Sequence, residues 1–275
     1  MIGRRPLILG GRELALGGHT WVMAVINLSP ESHNLHTVAH SPNQALAMAE
    51  TFAEAGARII DLGGQSSHYA NPTISEAEEV DRLAPAVELL AANGHLVSVD
   101  TWKPAVARAA LAAGAHLVND TGGLTDPEMR AVIAEWKVPT VLVYVEGENP
   151  HGVGEVDTEP DKARRTAALI EPRLTQLEAE GIHDVIIDPG IALNYRGDYL
   201  AYTKTQLEVI RASRFLHSLG RPVLIPIPRK KEDHRVMAYI TMALEYGADL
   251  IRVHDVAPAC DLVELFGRTP PAWGR

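Results

Sequence analysis

From Trp21 onward the chain repeats one rhythm: a short apolar run rich in β-branched residues, a polar loop, then a longer Ala/Leu/Glu-rich stretch. The apolar runs are Trp21 to Asn27, Arg58 to Leu62, Leu96 to Asp100, His116 to Asn119, Thr140 to Val145, Asp184 to Asp188, Val223 to Ile227 and Leu250 to His254. Most lack polar alternation, the pattern of parallel strands covered on both faces. The stretches between them open on helix-start signals, among them Ser41-Pro42, Thr73 to Glu76, Lys103-Pro104 and Asp126-Pro127. Several close on a glycine, as at Gly56, Gly114, Gly181 and Gly247, which suits the left-handed residue that ends a helix.

Eight strand–helix units in 275 residues predict a single-domain (β/α)8 barrel over residues 1–275. An open doubly wound sheet is the rival arrangement, but no G-x-G-x-x-G follows the first strand. Leu7 to Gly18 predicts a short hairpin placed to cap the barrel bottom. Glu146 to Lys162 breaks the rhythm, being polar with Gly, Pro and His, and reads as a mobile loop after the fifth strand.

Composition narrows the classes. A formal charge of -10 argues against a general nucleic-acid binder, although it leaves room for a local anion site. With Cys260 alone, neither an intrachain disulfide nor a cysteine-rich metal site is available. No stretch approaches the roughly 20 apolar residues of a membrane span. The N-terminus pairs two arginines with no apolar run or cleavage site, so a cytoplasmic protein without a membrane or nucleic-acid partner is expected.

Barrels of this kind place their chemistry at the carboxyl ends of the strands. There the runs end in Asn27, Asp100-Thr101, Asn119-Asp120 and Asp188-Pro189-Gly190; Arg229-Lys230-Lys231 follows the seventh, and the eighth carries Arg252, His254 and Asp255. The second run holds Asp61, with Gln65 to His68 beyond it. Asp100, Asn119 and Asp188 offer acceptors, and an amide, to a flat heterocycle rich in N–H donors, where a carboxylate forms paired charge-assisted hydrogen bonds. Lys230, Arg252 and His254 form a cationic arc for a phosphate or pyrophosphate. Asn27 suits either a phosphate oxygen or a Mg²⁺ ion, which prefers oxygen ligands. Each of these residues taken alone fits a helix cap or a turn equally well; their recurrence at strand tip after strand tip does not.

These tips resemble the dihydropteroate synthase family in order and spacing. The matching segments are Met23-Ala24-Val25-Ile26-Asn27, Ile60-Asp61-Leu62-Gly63-Gly64, Ser98-Val99-Asp100-Thr101, Val118-Asn119-Asp120, Ile187-Asp188-Pro189-Gly190, Arg229-Lys230 and Arg252-Val253-His254-Asp255. The resemblance implies a transferase that condenses a dihydropterin hydroxymethyl pyrophosphate with 4-aminobenzoate and releases pyrophosphate. It assigns the pterin to Asp100, Asn119, Asp188 and Lys230. The pyrophosphate falls to Asn27, His68, Arg252 and His254, with Mg²⁺ at Asn27, and Asn27, Lys230, Arg252 and His254 carry catalysis. A homodimer is implied as well.

The loops depart from the family pattern. Leu35 stands where an Asp is usual and His33 where an aromatic is usual; Gln65-Ser66-Ser67-His68-Tyr69-Ala70 lacks an Arg. Leu193 replaces a ring that would face the aminobenzoate, and Lys231 replaces a hydroxyl residue. Two alternatives follow from these departures: a pterin-binding paralogue with another acceptor or no synthase activity, and a pterin-dependent methyltransferase. The retained Arg252-Val253-His254 counts against the second.

Overall fold

The computed structural model describes residues 7–228 and 232–271. A hairpin of β1 (Leu7–Leu9) and β2 (Arg12–Leu14) precedes eight parallel strands. These are β3 (Trp21–Asn27), β4 (Ile59–Gly63), β5 (Val97–Asp100), β6 (Leu117–Asp120), β7 (Thr140–Val143), β8 (Val185–Asp188), β9 (Leu224–Pro226) and β10 (Leu250–Val253). Their order is β8-β7-β6-β5-β4-β3-β10-β9, and a parallel bridge between Ile187 and Val223 joins β8 to the start of the last strand in that row. The ring is thereby closed, as the sequence rhythm predicts, and each strand lies within two residues of its apolar run.

Helices cover the outside: α1 (Pro42–Ala55), α2 (Glu76–Ala92), α3 (Pro104–Ala112), α4 (Pro127–Trp136), α5 (Lys162–Ala179), α6 (Tyr199–Arg211), the single turn α7 (Arg214–His217), α8 (Asp233–Glu245) and α9 (Val256–Leu265). Ser41, Ser75, Asp126 and Asp198 accept a backbone N–H in the first turn of α1, α2, α4 and α6, which satisfies a donor the helix itself leaves open. No described helix is long and apolar enough to cross a membrane.

Side chains on a strand alternate between two faces. One face, including Val22, Ala24, Ile60, Leu62, Val97, Val99, Val118, Ile187 and Ile251, packs under the helices. The other face points into the barrel, and its lower layer is wholly apolar: Trp21, Met23, Ile59, Leu96, Leu117, Ile186, Leu224 and Leu250. The hairpin presses Leu7, Leu9 and Leu14 onto this layer, and Trp21 Nε1 donates to the Ala15 carbonyl at 2.9 Å. Its turn runs through Gly10 and Gly11, both at positive φ. A Cβ on Gly10 would lie 2.5 Å from the His116 ring, so the turn can sit this close only without a side chain.

Candidate active site at the barrel mouth

Two residues further along the same inward faces, the layer changes chemistry. Ile59 gives way to Asp61, Leu96 to Ser98 and then Asp100, Leu117 to Asn119, Ile186 to Asp188, and Leu250 to Arg252. Period-two geometry therefore stacks six polar groups on an apolar floor, and Asp61, Ser98, Asn119 and Asp188 are all buried.

Arg252 holds this layer together. Its Nε donates to Asp61 at 2.7 Å and a terminal NH2 donates to Asp100 at 2.7 Å. Asp61 also accepts from Ser98 Oγ at 2.6 Å and from Asn119 Nδ2 at 3.2 Å. Asp100 accepts from Thr121 at 3.2 Å, and Asp188 accepts the Gly190 N–H at 2.6 Å. Gly190 is required there: its φ is +71, and a Cβ would lie 1.8 Å from the Tyr144 carbonyl.

Among the described residues one cation stands against three carboxylates, which leaves excess negative charge in a buried place. Burial pushes Asp188 up to about 7, and the nearby Asp100 and Asp61 add to it against the pull of Gly190 and Arg252. Burial likewise raises Asp100, to about 7, with Arg252 pulling down and Asp61 pushing up. Burial alone would lower Arg252; the Asp61 and Asp100 carboxylates outweigh it, so the guanidinium stays charged. Asp120 points the other way, its oxygens accepting from the Gly122 and Leu124 N–H groups at 2.8 and 2.7 Å, and serves the loop.

Above this layer opens a cavity of about 600 Å³ whose walls include Asn27, His68, Asp100, Arg252 and His254. Asn119 and Asp188 lie beside it in the buried layer, joined to it through Asp61 and Arg252. Five of the eight predicted site residues thus share one wall, two sit against it, and Lys230 lies outside the described residues. Ala70 N–H donates to His68 Nδ1 at 3.1 Å, which leaves Nε2 as the proton-bearing nitrogen of the neutral ring. Burial, His33 and His151 all lower the pKa of His68, which favours its neutral form.

The geometry also fixes the tautomer of His254. Thr37 Oγ1 donates to the Asn34 carbonyl at 3.1 Å and accepts from Asn27 Nδ2 at 2.9 Å. Its contact with His254 Nδ1 at 2.9 Å must therefore be a second accepted bond, from an Nδ1–H. Nε2 then accepts from Asn34 Nδ2 at 3.0 Å. Because Asn27 spends its Nδ2 on Thr37, its carbonyl oxygen lies toward Gly63 at the cavity wall.

No group of three or more His, Cys, Asp or Glu side chains able to hold a metal occurs among the described residues. A single neutral oxygen from Asn27 fits only a Mg²⁺ that keeps most of its ligands from phosphate and water.

A second cavity, of about 260 Å³, shares Asn34, Asn194, Arg252 and His254 with the first. Its far side carries Leu193, Tyr195, Tyr199 and Tyr202. Tyr202 donates to the Ile191 and Leu193 carbonyls at 2.9 and 2.8 Å, while Gln206 donates to Ile191 at 2.6 Å and so fixes the loop after β8. Tyr195, two residues beyond Leu193, places an aromatic ring in the lining of this cavity.

The Glu146–Lys162 segment is a loop, as its composition indicates, but it is fastened. His151 bonds the Ser66 carbonyl at 2.8 Å and Thr73 at 2.9 Å, and Glu155 bridges to Arg196. Glu31 in the first loop meets Arg82 at 3.0 Å, and Asn71 joins Ser66 at 2.7 Å. Exposed Leu35 reaches solvent from a short 3-10 turn. Sequence reasoning left Asp61 unassigned and passed over Ser98, Asn34 and Thr37. Strand periodicity counted upward from Ile59 and Leu96 is the signal that finds the first two; the other two act only across the fold.

These features define a (β/α)8-barrel enzyme whose mouth pairs a buried acceptor layer with a larger polar cavity. The chain belongs to the pterin-binding enzymes, in the dihydropteroate synthase family: the family model for pterin binding enzymes matches residues 23–254. It is 33% identical to the dihydropteroate synthase of Bacillus subtilis, over 96% of this chain and 92% of that one. The solved dihydropteroate synthase of Xanthomonas albilineans with 4-aminobenzoic acid is 30% identical, covers 96% of this chain and 98% of its own, and superposes with a TM-score of 0.80. That of Thermus thermophilus in complex with 6HMPPP is 29% identical over 96% of this chain and 99% of its own, with a TM-score of 0.76. The chain spans only 30% of a longer bifunctional relative.

Proposed function

We propose that the protein condenses 6-hydroxymethyl-7,8-dihydropterin pyrophosphate with 4-aminobenzoate to give dihydropteroate and pyrophosphate. The observation that carries this reading is the Asp61–Asp100–Asn119–Asp188 layer around Arg252, a buried set of acceptors directly beneath the larger cavity. Relatives of nearly the same length are dihydropteroate synthases, and solved structures of the Xanthomonas albilineans dihydropteroate synthase hold 4-aminobenzoic acid and 7,8-dihydropteroate.

In this reading Asp100, Asn119, Asp188 and Lys230 receive the donor-bearing edge of the pterin. Asn27, His68, Arg252 and His254 receive the pyrophosphate, with Mg²⁺ offsetting its charge when bound. His254 can donate to a phosphate oxygen through Nε2 only after Asn34 leaves and Nε2 gains a proton, so pyrophosphate binding and first-loop movement are coupled. The tyrosine-lined second cavity, continuous with the first through Arg252 and His254, takes the aromatic amine. Catalysis then rests on holding separated charges in a site that excludes water. The same resemblance leads us to read the protein as a cytoplasmic homodimer.

The test is to incubate the protein with the pterin pyrophosphate, Mg²⁺ and 4-aminobenzoate and measure both products. Dihydropteroate formation is the expected result. Pyrophosphate release without dihydropteroate would instead show that another acceptor is used, and absence of both products would refute the synthase reading.

A further inference from the structure

Asp61 lies inside β4 with no exposure, two positions short of the tip, yet it accepts from side chains on three other strands. Those donors are Ser98 on β5, Asn119 on β6 and Arg252 on β10. A side-chain amide has a donating end and an accepting end, and only the donating end can face an ionised carboxylate. With Arg252 Nε at 2.7 Å, Asp61 acts as an acceptor, so the end of Asn119 that meets it is the NH2. The opposite end, Asn119 Oδ1, is then a buried acceptor with no hydrogen-bond partner among the described residues.

We propose that Asp61 is a positioning residue that sets the hydrogen-bond polarity of the pocket. By holding the Asn119 NH2 it turns the carbonyl toward the ligand, so that Asn119, Asp100 and Asp188 all present acceptors. The pocket then selects a ring whose facing edge carries N–H donors over the same ring with a carbonyl at that edge. This rests on the pterin reading above.

Three variants separate the roles. Asp61→Ala removes the acceptor and frees the Asn119 amide to rotate. Asp61→Asn preserves the arrangement, because its carbonyl can face Asn119 and Arg252 while its NH2 donates to Ser98, whose hydroxyl can also accept. Asn119→Ala removes the group being positioned. Binding of 6-hydroxymethylpterin, and of its analogue with the 2-amino group replaced by oxygen, is read from pterin fluorescence on protein shown to be folded by circular dichroism. The expected result is that Asp61→Ala narrows the preference for the amino compound by about tenfold. Asp61→Asn retains that preference, and Asp61→Ala adds nothing in the Asn119→Ala background. A folded Asp61→Ala protein with wild-type preference, or equal narrowing with and without Asn119, would overturn the proposal.

A measurement on the unmodified protein stands apart from whether Asp61→Ala folds. Nuclear Overhauser contacts are expected from the Asn119 side-chain NH2 to Arg252 Hε, and none to the N–H protons of a bound pterin. The reverse pattern would overturn the proposal. Failure of the wild-type protein to bind any pterin would overturn the functional reading instead, while the amide contact to Arg252 would still report the orientation.

Discussion

The two ends of the barrel are built from the same eight strands and teach opposite lessons. At the closed end, Trp21, Met23, Ile59, Leu117, Ile186 and Leu250 meet the hairpin leucines in an apolar layer. At the open end, two residues along the same faces, Asp61, Asp100 and Asp188 crowd around Arg252. The closed end gains stability from apolar burial. The open end gives some away, since carboxylates raised to about 7 are costly to keep ionised at neutral pH. A shift of two residues along a strand thus separates the part that holds the fold from the part available for chemistry.

The contrast can be broken most severely at Arg252. Arg252→Ala leaves Asp61 and Asp100 without their shared cation, and a loss of about 3–5 kcal/mol is expected in denaturant titrations at pH 8. The loss should shrink at pH 5, where Asp100 can take up a proton instead of standing unpaired. Equal losses at both pH values would show that the carboxylates do not depend on Arg252 for charge. At the other end, Leu9→Ala should cost about 2–5 kcal/mol through the cavity it opens. Pterin affinity of the remaining folded protein should be unchanged; a parallel loss of affinity would mean that the two ends are not independent.

Asp188→Asn sharpens the comparison with the opposite sign. A carboxyl whose folded pKa is about 7, against an ordinary 3.8, makes the protein less stable as pH rises from about 4 to about 7, and the deficit persists above that range. The variant keeps an oxygen for the Gly190 N–H and loses the charge. It should therefore melt higher than wild type at pH 8, with the gain fading toward pH 4, while binding pterin poorly. At about 1.4 kcal/mol per unit, the gain is bounded at a few kcal/mol. A lower melting temperature at pH 8 would count against a buried, ionised Asp188.

The same two carboxyls predict proton-linked binding. A donor edge favours their ionised forms, so pterin affinity should rise as pH rises to about 7 and then level off. Calorimetry in buffers of different ionisation enthalpy should register proton release below pH 7; proton uptake there would reverse the assignment of acceptors. The smallest effect is expected from Ser98→Ala, which removes one hydrogen bond to Asp61 and should cost about 1 kcal/mol.

The barrel was legible because both faces of its strands are apolar over most of their length, so each strand stands out as an uninterrupted run. The tips were legible for the same reason: Asn27, Asp100, Asn119, Asp188 and Arg252 are where those runs stop. Asp61 was not, because it sits within a run, and only the inward register shared with Ile59, together with its pairing opposite Ser98, gives it a role. Asn34 and Thr37 escaped notice because their partner, His254, is more than two hundred residues away in the chain. The second aromatic wall escaped because Tyr195, Tyr199 and Tyr202 converge only when the loop after β8 folds back.

The hairpin under the barrel has a kinetic meaning. With Leu7, Leu9 and Leu14 packed across one end, the cavities lined by the strand tips lie at the other, and a ligand held deep in that mouth sits behind one nearer its rim. On the proposed reading, the pterin that fills the inner berth must arrive before the amine that sits across its exit. Product can leave only after whatever lies in front of it has gone. On that same reading, an order of arrival and departure follows from three leucines at the far end from any reacting atom.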